Sequence, residues 1–243
     1  GRSDLWTSMY YPGEAALGLL MLYEKDPAPQ WLHSATKALR FLAQDGMNRN
    51  PTLPDQWYLL AAERRLLQPD SSLVEGTRNA ILQHARRICQ DMVRDQRNQL
   101  TDSPIQGCYS SDGRCCPSAT RLEGLQAALG FLETEDPQLA GVIRQSVELG
   151  VHFLLRSQVK DGSRAGGIPS VTQAFAGTPG APSKREGGEI RIDYIQHALS
   201  AMMQFADRQH QDRKRNGASP EKTNCRNEPP GSVTGEGIGK QAG

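Results

Sequence analysis

Four polar side chains crowd the start of an otherwise apolar helical pattern. In "GGEIRIDYIQHALSAMMQF", residues 187–205, Arg191, Asp193, Tyr194 and His197 precede a body of Ala, Leu, Met and Phe. A guanidinium, a carboxylate, a phenol and an imidazole within two turns can clamp an anion and move a proton. Asp193 and His197 are four residues apart, so a helix places them on one face. There they are within reach of a hydrogen bond that would set the imidazole tautomer. The simpler reading is that Asp193 complements the helix dipole. Arg191 opposes that dipole and His197 lies deeper in the apolar body, which favours a site.

Three other segments share this character. "YYPGE", "LPDQW" and "SATRLEG" each open a predicted helix and carry a carboxylate near the first turn, namely Glu14, Asp55 and Glu123. Tyr10, Tyr11, Trp57 and Arg121 stand beside them. If the four helices point the same way, these groups converge with the 191–197 set. Arg121 and Glu123 are two apart and point to different sides of their helix. The combination suits an acidic or polyhydroxylated saccharide: aromatic rings stack on the sugar, arginines hold a carboxylate, and acids with Tyr or His handle protons. In this reading His197 or Tyr194 is the base and Glu123 or Asp193 the acid. Arg121 and Arg191 are anion clamps, and Glu14, Asp55, Trp57, Tyr10 and Tyr11 complete the binding surface. The competing reading takes Glu14 and Asp55 as first-turn charges, Tyr10 and Tyr11 as a hydrophobic staple and Trp57 as core. His33, His84 and His152 fall in outer-helix patterns and read as surface or partly packed residues.

The elements that would position these groups come in pairs. Residues 11–25 and 29–46 make one helical hairpin, with Gly46 expected as a C-cap. Residues 54–67 and 71–98 make the next, and 117–135 and 137–157 the third; the 189–205 segment is a seventh helix. Pro12, Pro54 and Pro117 open the first helix of each pair, where a helix tolerates proline. No segment shows strand alternation. In each pair the first helix is more apolar and the second more charged, as an inner and an outer helix require. Successive inward and outward hairpins close into an α/α toroid; the runner-up is an open α-solenoid of the tetratricopeptide kind. Seven helices do not complete a six-pair ring, so the expected toroid is partial, or is completed by flanking sequence or a protein partner. Long loops join Gln99 to Pro117 and Lys160 to Glu189, and "DGSRAGGIP" reads as a lid or a connector.

Composition sets outer bounds. The chain has 243 residues, 37% of them hydrophobic and only 6% aromatic. Residues 207–243 hold few large apolar side chains and read as a disordered tail behind a domain spanning 1–206. A net charge of +1 gives no general attraction to nucleic acid. No apolar stretch reaches the roughly 18–20 residues of a membrane span. The five cysteines match no zinc spacing, and neither a metal nor another cofactor is expected. Free thiols and a disulfide from Cys108 to Cys115 or Cys116 both remain open.

"ALRFLAQDG" and "GVHFLLRSQVKDGS" resemble the Gln–Asp–Gly helix ends of α/α-toroid proteins, which include the terpenoid-cyclase-like group and the six-hairpin carbohydrate-active enzymes. The set "YYPGEA", "LPDQW", "ATRLEG" and "IRIDYIQHALSA" is similar to a largely uncharacterised group of bacterial proteins on that toroid. The resemblance covers about residues 10–205 and implies the fold more than the chemistry. The Asp-rich acid motif of squalene cyclases and the zinc sets of lanthionine cyclases and prenyltransferases are absent. The expected function is therefore a carbohydrate-active domain working by proton transfer, as a hydrolase, lyase or epimerase does. The alternative is a non-catalytic helical binding or scaffold domain of a larger protein.

Overall fold

The computed structural model describes residues 10–69, 73–98, 103–174, 188–215 and 217. Among them run α1 (Tyr11–Lys25), α2 (Pro29–Gly46), α3 (Gln56–Leu66), α4 (Glu75–Arg97), α5 (Cys115–Glu135), α6 (Pro137–Ser157) and α7 (Ile192–Arg215). The protein is all-α. The described residues contain no strand, only isolated bridges between Arg114 and Val171 and between Pro169 and Ile190. Local chemistry explains several helix starts. Proline occupies the first turn of α1, α2 and α6. The Asp55 carboxylate caps α3 by accepting the Tyr58 N–H at 3.0 Å, and Asp136 caps α6 by accepting that of Leu139 at 3.1 Å.

The helices form two rows. α1, α3, α5 and α7 lie side by side in that order, and α2, α4 and α6 lie behind them. Close approaches show that the front row runs parallel. Gly13 of α1 faces Asp55 at the start of α3, Gly124 of α5 faces Gln56, and Gly130 further along α5 faces Glu63. Between α5 and α7, the Gln126 side chain donates to the Ala201 carbonyl at 2.9 Å. α5 is the hub, packed against α3, α4, α6 and α7. Leu122, Leu125, Leu129 and Leu132 on it are at most 1% exposed, each contributing on the order of 2 kcal/mol of burial. α1 and α7, at the two ends of the row, make no contact among the described residues.

The 103–114 connection is tied down despite its length. Gln96 of α4 donates to the carbonyls of Gly107 and Ser146, both at 2.9 Å, and accepts from the Ser146 hydroxyl at 2.7 Å. Tyr109 joins the same network through Ser146 Oγ at 2.8 Å. Buried polar groups satisfied in this way hold a loop in one arrangement.

Three local expectations change. Gly46 is the last residue of α2, and Met47 forms the cap. The glycine is needed for space, because a Cβ there would lie 2.1 Å from His84 Cε1. His84 is buried at 8% exposure, with its ring 4.7 Å from that of Tyr58; His33 and His152 are exposed, as expected. Burial, reinforced by the Arg87 charge, pushes the His84 pKa down to about 4. The third change is at the C-terminal end, where α7 continues to Arg215 through residues that composition assigned to the tail. The rest of that stretch, Gly217 apart, lies outside the described residues, as do Cys225 and 175–187. Cys89, Cys108, Cys115 and Cys116 are free thiols.

Candidate functional site

The parallel front row brings three separated residues together. Glu123, two turns into α5, receives His197 of α7, with 2.8 Å between Nδ1 and Glu123 Oε2. Both are largely enclosed, at 15% side-chain exposure for His197 and 8% for Glu123. Trp57 of α3 packs on the same imidazole, with ring centroids 6.3 Å apart and planes at 68°. The Glu123 hydrogen bond raises the His197 pKa above its ordinary value; burial opposes the shift, while the Glu123 and Asp193 charges support it. With Nδ1–H given to the carboxylate, Nε2 is the ring nitrogen left to take a second partner. A carboxylate, an imidazole and an indole thus converge from three helices, the first two from positions 74 residues apart in the chain.

One turn nearer the mouth of α7 lies a second group. Arg191 pairs with Asp193 at 3.0 Å and sits over the Tyr194 ring, 5.3 Å from its centroid. The Tyr194 hydroxyl donates to Glu189 at 3.4 Å. A cleft of about 380 Å³ opens here, lined by Tyr194, Glu189, Cys116, Arg114, Ser170 and Val171. Its walls are set by backbone bonds from Cys115 N–H to the Ser170 carbonyl at 2.9 Å and from Ser170 N–H to that of Glu189 at 2.8 Å. The 161–169 segment, read as lid or connector, folds back on the end of α6 through Val159 and Gly167.

The structure redistributes several expected roles. The hydrogen-bond partner of His197 is Glu123; Asp193 is taken by Arg191 and acts on the imidazole only through its charge. Tyr194 does not suit a base: burial first, then the Glu189 charge, raises its pKa and keeps the phenol protonated. Arg121 turns away from the front row. Its charge acts on Asp95 of α4 and on Tyr109, on the far side of α5 from His197, so it cannot clamp a ligand together with Arg191. Asp55 is 5% exposed and caps α3. Burial lifts its pKa to about 6 against two opposing backbone hydrogen bonds. Glu14 and Tyr11 are exposed and Tyr10 half-buried at the start of α1, two helices away from His197.

Sequence reasoning missed Cys116 and Glu189. The available signal for Cys116 was its spacing: it lies seven residues before Glu123, hence on the same face of α5. It is a poor nucleophile, since burial, then the Asp193 and Glu123 charges, push its thiol up to about 11. Among the described residues no three His, Cys, Asp or Glu side chains are grouped to hold a metal ion. No described helix is long and apolar enough to cross a membrane. No protein-family model matches the chain, and none of the curated proteins or solved structures does either, so its own geometry alone carries the argument for function.

Proposed function

We propose that the front row is an arc of an α/α toroid whose concave face binds a polyhydroxylated saccharide and acts on it by proton transfer. The observation that carries this reading is the Glu123–His197 pair at 2.8 Å beside Trp57. Glu123 orients the imidazole and favours its protonated form. His197 Nε2 then serves as acid when charged and as base when neutral. Trp57 supplies an apolar face for a sugar ring. A neutral saccharide fits better than an acidic one. Arg191 is engaged by Asp193, Arg114 by Asp112 at 2.7 Å, and the Arg121 charge acts on Asp95 of α4, so none of these three guanidinium groups is placed to clamp a carboxylate beside His197.

A specific observation supports the scaffold reading as the second choice. α7 exposes Ile192, Leu199 and Met203 at 82%, 55% and 57%. α1 exposes Tyr11 and Leu22 at 60% and 50%, so both ends of the row carry bare apolar side chains. A thermal-shift screen of the full chain against neutral and uronic oligosaccharides separates the two readings. Saturating ligand should raise the melting temperature by several degrees, and His197→Ala and Trp57→Ala should abolish that rise. A cooperative melt that no sugar shifts would overturn the saccharide reading in favour of the scaffold.

A further inference from the structure

The faces of α3, α5 and α7 that present Trp57, Glu123 and His197 continue past them. Beginning one turn on along α3 and α5 and two turns on along α7, the same faces frame a second cleft of about 310 Å³. Leu60 and Ala127 contribute apolar surface to it, and Glu63, Gln126, Gln204 and Arg208 contribute polar groups. Glu63 reaches this position because α5 has Gly130 beneath it; any Cβ there would strike its carboxylate.

Two residues of the cleft lining each hold a buried side-chain atom without a hydrogen-bond partner among the described residues. Gln126 is only 2% exposed; its Nε2 is used on Ala201, while its Oε1 has no hydrogen-bond partner among the described residues. Arg208 donates from Nη1 to Glu133 at 3.1 Å and from Nη2 to the backbone carbonyl of Gln126 at 3.0 Å, but its Nε is likewise buried and has no hydrogen-bond partner among the described residues. A buried orphan costs about 1–3 kcal/mol, so one acceptor and one donor in the same cleft lining mark a place where a ligand contributes more than contact. Both guanidinium groups here are already neutralised, Arg64 by Glu24 and Arg208 by Glu133. Glu63 and Asp207 remain, which disfavours an anion.

We propose that this cleft is a second subsite of the same binding trough, taking a neutral, hydroxyl-rich sugar unit of a linear saccharide whose other end lies at His197. Two neighbouring hydroxyls meet the requirement once the lining side chains move aside to uncover the two atoms: one donates to Gln126 Oε1 and the next accepts from Arg208 Nε. The subsite rests on the saccharide reading given above, and it adds that the ligand is a chain and that its distal unit is uncharged.

The test is a ladder of neutral linear glucans, from one to six residues, titrated calorimetrically into the full chain. Affinity should rise at least tenfold between the disaccharide and the hexasaccharide. Gln126→Leu removes the orphan acceptor at nearly constant size, and Gln204→Trp fills the cleft from its half-buried lip without disturbing the core. Both should erase the gain with length and leave disaccharide binding within a factor of about two. A length-dependent gain that survives in the folded Gln204→Trp variant overturns the subsite. So does wild-type binding that ignores chain length, with the His197 reading intact. No binding at any length overturns both.

Discussion

At the scale of single residues, chemistry follows enclosure. Asp55 shows it most simply. Because burial raises its folded pKa to about 6, above an unfolded value near 3.9, the folded state holds the proton more tightly. That contribution is complete below about pH 4 and is lost as pH rises through 6. Asp55→Asn keeps a capping acceptor and removes the titration. The difference in unfolding free energy between this variant and wild type, from urea melts, should be constant below about pH 4, grow as pH rises through 6, and by pH 7.5 favour the variant by on the order of 2 kcal/mol. Asp55→Ala should lie about 1 kcal/mol below Asp55→Asn at each pH through the missing cap. Cys116 follows the same logic with a thiol. Held up to about 11, it should react with iodoacetamide at pH 7.5 on the order of a hundredfold more slowly than a free cysteine. Mass spectrometry of the time course checks this, and rapid labelling would reinstate Cys116 as a nucleophile.

At the scale of elements, glycines report how closely the helices pack. Gly18 is on an open face of α1, where an added Cβ would meet nothing within 4 Å, whereas a Cβ at Gly124 would lie 2.9 Å from Gln56 Cα where α5 crosses α3. Gly18→Ala should therefore raise stability by about 0.5–1 kcal/mol. Gly124→Ala should lower it by about 1–3 kcal/mol, because backbone must move. Denaturant midpoints decide both. The pairing of helices was legible in the sequence because apolar spacing and prolines at helix starts are local signals. The role of Gly46 was not, because it depends on His84, far along the chain and buried on another helix. The direction of Arg121 was half legible. Its two-residue spacing from Glu123 placed the two on different sides of α5, but only packing shows that Glu123 took the front and Arg121 the back.

At the scale of the whole molecule, the candidate site exists because the front row is parallel. Each front helix returns through a back-row helix or a long connection, so every one begins at the same end. The repeat of carboxylates at Glu14, Asp55, Glu123 and Asp193 marked the helix starts, but the four do not gather: Glu14 lies on α1 with α3 and α5 between it and α7, Asp55 caps α3, and Asp193 pairs with Arg191. The actual partners were not legible: Glu123 and His197 meet across 74 residues, and the local pattern suggested Asp193 in that role. The bare ends of the row at α1 and α7 likewise emerge only from packing. Everything proposed for function rests on Glu123 setting the protonation of His197, and an NMR pH titration of the His197 ring in wild type and Glu123→Gln measures that directly. The wild-type midpoint should lie above about 6.5 and fall in Glu123→Gln, where burial is left opposed only by the Asp193 charge. The pair's contribution to stability should be full below that ordinary value and disappear as pH rises through the raised midpoint. A midpoint that Glu123→Gln leaves unchanged would contradict the acid–base pair and the site built on it.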